Sequence, residues 1–247
     1  MSSVPIVLKD FEKLTRGAVR HYWRTLDGQS AKQTAGDADR GGRAAVTGGK
    51  QMMGFCNLVQ KVLIDNGVPQ VHVFTEAKLE LPGYFRPTKQ WDMLVVSSGE
   101  LIAALEFKSQ RGPSFGNNFN NRTEEAIGTA QDLWTAYREK AFGKQPRPWL
   151  GWVMLLEDCP KSTVPVGVNE PHFKVFPEFR QASYAKRYEL LLRRLVLEKL
   201  FDGAAFLMAT DRQGRNGIYA EPSDDLRVKP FLAALTGHAM AFQAGKR

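Results

Sequence analysis

Apolar positions along the chain follow two patterns, helical spacing and short continuous runs. Helical spacing predicts an amphipathic helix over residues 7–26, and further helices over 51–66, 123–142, 181–200 and 225–242. Short apolar runs bounded by turn residues predict strands within 70–81 and at 91–96, 101–108, 149–156 and 204–209. The order of these elements predicts an α/β protein with a mixed β-sheet flanked by helices.

The runs at 91–96 and 101–108 are separated by a short polar turn and predict a β-hairpin. A tight turn pairs residues whose numbers sum to about 198, which places Asp92 opposite Glu106. Glu106 and Lys108 are two positions apart on one strand, so their side chains leave from the same face. Two carboxylates and an ammonium, here called the acid–lysine cluster, therefore converge where neighbouring carboxylates would repel without a cation.

Composition narrows the class of protein. The 247 residues are 43% hydrophobic, which supports a substantial core. The chain carries 34 Lys and Arg against 26 Asp and Glu. The net charge of +8 is typical either of a protein that binds nucleic acid or of a protein with an ordinary basic surface. Two cysteines are too few for a disulfide framework, and the N-terminus lacks a secretory pattern. We therefore expect a cytoplasmic protein, with no apolar stretch long enough to cross a membrane.

Two polar stretches interrupt the predicted elements. Residues 27–50 combine many glycines with basic side chains and predict a flexible loop, either an idle surface or a segment that becomes ordered on phosphates. Residues 111–122 predict a second loop. The helix that follows is expected to begin near Thr123, with Glu124 and Glu125 at its positive N-terminal end.

Other catalytic arrangements fit the sequence poorly. The sequence of residues 44–51 partly matches the phosphate-binding loop motif. However, Ala44 stands where the motif has its first glycine, and Gln51 stands where it has the Ser or Thr that binds magnesium. The histidines show no zinc-site spacing, and neither cysteine has a histidine nearby in sequence. These exclusions leave the acid–lysine cluster as the candidate catalytic site.

The acid–lysine cluster has the donor set of a magnesium-dependent phosphodiesterase. Mg²⁺ prefers carboxylates together with waters and phosphate, so Asp92 and Glu106 are predicted ligands, with the carbonyl of Phe107 as a further one. Such a cation would activate a water and offset phosphate charge, while Lys108 would orient the water or help to deprotonate it. The alternative without catalysis is an ion pair of Lys108 with either acid.

These residues resemble the motif of the PD-(D/E)xK nuclease superfamily, with Trp91-Asp92 in place of Pro-Asp and Glu106-Phe107-Lys108 as ExK. Segments 79–92, 105–110 and 117–122 carry a closer similarity to the XhoI-type restriction endonucleases, over nearly the whole chain. The resemblance implies a restriction-endonuclease-like core in a single domain, 1–247. The catalytic core would span about 50–156, and a helical C-terminal part about 178–247.

The resemblance also implies a function. It implies a type II restriction endonuclease that hydrolyses double-stranded DNA at the palindrome CTCGAG with Mg²⁺. It implies a homodimer, each subunit reading one half-site, in a bacterial cytoplasm that also holds a protective DNA methyltransferase.

The sequence departs from the superfamily pattern at one point and leaves alternatives open. Many members carry a further Glu on the helix before the first core strand. The helix predicted at 51–66 has none, so the number of metals stays open. The candidates to replace this Glu are Gln51, Asn57, Gln60 and the later Glu76. A less selective nuclease of DNA repair or junction resolution is an alternative, as is a DNA-binding module without catalysis.

Residues that contact DNA are predicted from side-chain chemistry, because Arg pairs with guanine and Asn with adenine in the major groove. This favours a group directly after the catalytic strand: Arg111, Asn117, Asn118, Asn120, Asn121 and Arg122. Asparagine also suits left-handed turns, so a structural role is the alternative for these residues. Arg86 and Lys89, just before Asp92, are predicted phosphate contacts.

Overall fold

The computed structural model describes residues 5–34 and 42–245. Its α-helices are α1 Phe11–Thr34, α2 Gly42–Asp65, α3 Phe115–Arg138, α4 Pro160–Thr163, α5 Tyr184–Leu197, α6 Asp211–Gly214 and α7 Val228–Ala244. Its strands are β1 Val73–Phe74, β2 Glu80–Pro82, β3 Thr88–Gln90, β4 Met93–Ser97, β5 Glu100–Gln110, β6 Trp149–Glu157 and β7 Gly203–Ala209. Short 3₁₀ helices lie at Gln70–His72, Pro177–Phe179 and Asp224–Leu226.

Five strands form one mixed sheet in the order β1-β4-β5-β6-β7. Strands β1, β4 and β5 pair antiparallel, whereas β5, β6 and β7 are parallel. The short strands β2 and β3 form a separate hairpin. This architecture confirms the predicted α/β class, and β7 brings a strand of the C-terminal part into the central sheet.

Helices cover both faces of the sheet. On one face, α1, α2 and α7 pack against alternate residues of the strands, among them Met93, Leu105, Phe107, Val153 and Leu207. On the other face, α3 and α5 pack against the intervening residues, among them Leu94, Ala104, Trp152, Met154 and Phe206. Because parallel strands are buried on both sides, β6 is apolar almost throughout rather than alternating.

Two paired glycines make room for a tryptophan on the α7 side of the sheet. Gly151 on β6 lies opposite Gly203 on β7. A Cβ at Gly151 would lie 2.4 Å from the Trp149 ring, and a Cβ at Gly203 would lie 2.7 Å from it. The indole also meets Phe231 of α7 edge to face, with ring centroids 5.2 Å apart. The glycines therefore allow α7 and Trp149 to close this layer.

The predicted loop at 111–122 is wrong over most of its length, because α3 begins at Phe115. Asparagine and glycine disfavour helix in isolation, but packing overrides that preference here. Phe115 stacks on Tyr184 of α5 with centroids 5.7 Å apart, and Phe119 meets Tyr188 edge to face at 5.1 Å. Asn117, Asn118, Asn120, Asn121 and Arg122 are therefore helical, and Glu124 and Glu125 lie well inside the helix rather than in its first turn.

The predicted flexible loop at 27–50 is also too long. Helix α1 continues to Thr34 and α2 begins at Gly42, so helical backbone covers both ends of that segment. Residues 35–41 lie outside the described part of the chain. Among the described residues, no helix has both the length and the apolar character of a membrane-spanning segment.

Candidate active site

The predicted register of the hairpin between β4 and β5 is confirmed. Met93 pairs with Leu105, and Leu94 with Ala104. Continued by one residue, this register brings Asp92 to Glu106, and the backbone N–H of Phe107 donates to Asp92 Oδ2 at 2.8 Å. In a strand, the N–H and C=O of one residue face the same neighbour, so the Phe107 carbonyl also faces the side of Asp92.

Glu106 is a buried carboxylate, with its side chain only 1% exposed. Lys89 Nζ lies 2.7 Å from Oε1, and Lys108 Nζ contacts Oε2. Both carboxylate oxygens are therefore paired with lysine ammonium groups. Burial raises the pKa of Glu106; Asp92 also raises it, while Lys108 and Lys89 oppose this shift. A carboxylate in this state favours additional positive charge beside it.

Lys108 lies among three carboxylates. Its Nζ is 3.3 Å from Asp92 Oδ2 and 3.2 Å from Glu125 Oε1, and it also contacts Glu106. Burial acts to lower the pKa of Lys108, but Glu106, Asp92 and Glu125 outweigh burial and raise it. The three residues of the acid–lysine cluster are thus brought together as predicted, with Lys108 as their central cation.

Glu125 is the acidic residue that the sequence reasoning missed as part of this site. It comes from α3, where its Oε2 pairs with Arg122 three residues earlier. Burial works against its charged form, but Lys108 and Arg122 prevail and lower its pKa. The spacing of Asn118, Arg122 and Glu125 places them on one helical face, a signal that became visible only with the correct start of α3.

An open cleft runs past the cluster, with α1 and α2 on one side and α3 on the other. Its lining combines basic and acidic side chains: Lys50, Lys108, Arg111, Arg122, Glu76, Asp92 and Glu125. Of the predicted DNA contacts, Arg111, Asn118 and Arg122 line this cleft. Asn117, Asn120 and Asn121 are exposed on α3.

Arg86 and Lys89, the predicted phosphate contacts, are both paired with carboxylates. Lys89 is engaged with Glu106, and its ammonium lies 5.2 Å from the centre of the Trp91 ring. Arg86 Nε lies 2.7 Å from Asp132 Oδ2 of α3, with a side chain 44% exposed. Both residues therefore attach the β2–β3 hairpin to the neighbourhood of the acid–lysine cluster.

The residues present fit a divalent cation. Two carboxylates and a backbone carbonyl supply hard oxygen donors, which suit Mg²⁺ with waters completing its shell. The chemistry of this donor set is the observation that favours such an ion, because, besides burial, the neighbouring carboxylate of Asp92 raises the pKa of Glu106, and a cation between them would offset that repulsion. No group of three or more His, Cys, Asp or Glu side chains arranged for a metal occurs among the described residues. The predicted donors Asp92, Glu106 and the Phe107 carbonyl include only two such side chains.

Cys56 lies next to the site without taking part in it. It is buried, and its Sγ lies 3.9 Å from the carbonyl oxygen of Asp92. Burial, reinforced by Asp92, raises the pKa of the Cys56 thiol. Because the thiolate is the reactive form, this agrees with the exclusion of a cysteine nucleophile.

A mixed sheet between two helical layers, with an acid–lysine cluster beside an open cleft, is consistent with a restriction-endonuclease-like core. The family model "Restriction endonuclease XhoI" matches residues 31–221 of the chain. No solved structure matches the chain significantly.

Three relatives are similar over most of their length. The type II restriction enzyme BstVI of Geobacillus stearothermophilus is 55% identical over 212 residues, covering 84% of this chain and 94% of that enzyme. The type II restriction enzyme XhoI of Xanthomonas vasicola is 48% identical, covering 77% of each chain. The type II restriction enzyme AbrI of Azospirillum brasilense is 52% identical, covering 68% of this chain and 76% of that enzyme.

The chain therefore belongs to the XhoI family of restriction endonucleases. Its enzymatic class is that of the type II site-specific deoxyribonucleases. Enzymes of this class act on double-stranded DNA, use divalent metal ions and are paired with methyltransferases in restriction–modification systems.

Proposed function

We propose that this protein is a Mg²⁺-dependent type II restriction endonuclease that cuts double-stranded DNA at CTCGAG as a homodimer. The observation that carries the proposal is the convergence of Asp92, Glu106 and Lys108 beside an open cleft. The XhoI-type resemblance supports CTCGAG. A palindrome suits a two-fold dimer, since identical side chains can then read both half-sites.

Asp92, Glu106 and the Phe107 carbonyl would hold the magnesium ion. When bound there, the ion supplies Lewis-acid activation of water and offsets negative charge at the scissile phosphate. The N–H of Phe107 fixes the orientation of Asp92, and burial fixes that of Glu106. Lys108 would orient the attacking water and stabilise negative charge on the phosphate.

The cleft provides the surface for the substrate. Arg111 and Arg122 contribute positive charge, which attracts the DNA backbone and makes binding dependent on salt. Asn118 and Arg122 line the cleft from the same face of α3, so we propose them as the first DNA contacts to test. Asn117, Asn120 and Asn121 are exposed along that helix and stay proposed base-reading residues.

The proposal is tested by digesting a plasmid that contains one CTCGAG site, with a second plasmid in which a single base pair of that site is changed. We expect linear product from the first plasmid only, with Mg²⁺ and not with EDTA. Sequencing of the product ends gives the site and the position of the cut. Smeared products, or cutting at branched junctions only, would instead favour the less selective nuclease.

The homodimer is tested by sedimentation of the free enzyme and of its complex with a CTCGAG duplex. We expect twice the 27.7 kDa of one chain for the free enzyme, and that mass plus one duplex for the complex. One chain per duplex in the complex would contradict the symmetric reading of the palindrome.

A further inference from the structure

Glu125 has no role in the proposed metal site, yet it contacts the proposed catalytic lysine. Its Oε1 lies 3.2 Å from Lys108 Nζ. We propose that Glu125 is a positioning residue, which holds the Lys108 ammonium in the active site when Asp92 and Glu106 bind the metal. This inference rests on the proposed function, because it concerns the metal-loaded state of the same site.

The charges around Lys108 explain why a further anchor is needed. Without metal, the Lys108 ammonium is attracted by Asp92, Glu106 and Glu125 together. A dication held by Asp92 and Glu106 would neutralise the negative charge of these two carboxylates and would repel the Lys108 ammonium. At equal distance, that repulsion is twice the attraction of a single carboxylate. Glu125 is then the carboxylate contact of Lys108 that metal binding leaves in place.

Glu125 is itself held in one orientation. Arg122 pairs with its Oε2, so its Oε1 is directed to Lys108. Its side chain is 31% exposed, at the boundary between α3 and the cleft. The preceding residue, Glu124, has the same chemistry but is exposed. Orientation by a fixed neighbour keeps a catalytic group within the narrow geometry that its reaction requires.

Two other roles for Glu125 predict different effects of its substitution. As a further metal ligand, it would contribute to metal affinity. As a purely structural ion pair, it would contribute to stability and would leave the catalytic step unchanged. A positioning residue affects the rate of cleavage at saturating DNA and metal, without a matching change in either affinity.

The test compares full-length wild-type enzyme with Glu125→Gln, Glu125→Asp and the control Glu124→Gln, which removes the same charge from an exposed position. The measurements are kcat and KM on plasmid DNA, Mn²⁺ affinity of the enzyme–DNA complex by titration, and Tm. For Glu125→Gln we expect kcat to fall roughly 10- to 100-fold, as for a misplaced catalytic group. KM and Mn²⁺ affinity should stay within about twofold. Glu125→Asp should recover part of the rate, and Glu124→Gln should match wild type.

Three outcomes would overturn the inference, and a fourth would affect only the proposed specificity. Wild-type kcat in Glu125→Gln would show that Lys108 needs no anchor. A tenfold or greater loss of Mn²⁺ affinity would show that Glu125 supports the metal, directly or through one of its ligands, rather than Lys108. Cleavage by wild type at a sequence other than CTCGAG would contradict the proposed specificity and leave the comparison of rates intact. Absence of any cleavage by wild type would contradict the proposed function and this inference together.

Discussion

Asp132 on α3 fastens the turn of the β2–β3 hairpin, and its removal makes a quantitative test of the fold. Its Oδ1 accepts hydrogen bonds from the backbone N–H groups of Tyr84 at 2.6 Å and Phe85 at 2.8 Å. Its Oδ2 accepts one from Arg86 Nε at 2.7 Å. A Cβ at Gly83 would lie 2.5 Å from the same carboxylate, so the turn closes tightly around it. Asp132→Ala removes all three hydrogen bonds.

The expected loss of stability follows from these hydrogen bonds. Each of the two backbone bonds to the buried carboxylate is worth about 1.5–3 kcal/mol. The Arg86 ion pair adds at most about 1 kcal/mol, since the guanidinium is well exposed to solvent. Water can reach the freed N–H groups of a surface turn, so the lower end applies, about 3 kcal/mol in total. For a chain of this size, that corresponds to a fall in Tm of roughly 6–12 °C.

Urea and thermal unfolding at one fixed protein concentration measure this change, with Glu124→Ala on the same helix as the control. The control should stay within about 0.5 kcal/mol of wild type, as expected for an exposed position. A loss below about 1 kcal/mol in Asp132→Ala would refute the reasoning, because it would mean that the three hydrogen bonds make little net contribution.

The dependence of this difference on pH is a second check. Burial acts to raise the pKa of Asp132, but the N–H groups of Phe85 and Tyr84, together with Arg86, prevail and lower it below its ordinary value of 3.8. A lowered folded-state pKa gives stability that is present above the unfolded-state pKa and lost as the pH falls through the folded-state value. The difference in the free energy of unfolding between wild type and Asp132→Ala should therefore be constant near neutral pH and shrink below about pH 3.8. A difference that widened in acid would contradict this sign.

Three further predictions concern the active site and the core. Lys108→Ala should bind a CTCGAG duplex in Ca²⁺ but cleave it at least about 100-fold more slowly in Mg²⁺, and near-normal cleavage would exclude its catalytic role. Cys56 should resist iodoacetamide at pH 8 in the native enzyme, because burial raises the pKa of its thiol, and rapid labelling of the native enzyme would contradict this. The Cys56→Ser variant should still cleave DNA. Gly151→Ala should destabilise the protein by roughly 1–3 kcal/mol in urea unfolding, because its Cβ meets Trp149, and unchanged stability would show that the ring can shift.

The sequence was sufficient to predict the acid pair, because hairpin pairing and strand alternation are local rules. The register sum of 198 holds from Met93 to Val95. Nearer the turn, a β-bulge between Val95 and Val96 shifts the sum to 197. Bulges leave little trace in a sequence, but this one lies on the turn side of the acidic residues and does not disturb them. The prediction thus succeeded where only local geometry was involved.

The start of α3 could not be predicted in the same way, because it depends on residues far along the chain. Its first turns carry several asparagines and a glycine, which favour turns in isolation. Phe115 and Phe119 are held by Tyr184 and Tyr188, about seventy residues later in the sequence. No local pattern around residues 111–122 contains that information.

The misplaced helix start explains why Glu125 was missed. With a start at Thr123, Glu125 lies in the first turn, where an acidic residue is explained by the helix dipole and needs no further role. With the start at Phe115, that explanation no longer applies, since the dipole effect is confined to the first turn. An acid beside Lys108 in the middle of a helix then requires a reason of its own. Because α3 follows β5 after a short connection and passes beside the cleft, Glu125 contacts Lys108, and its proposed role is to position that lysine.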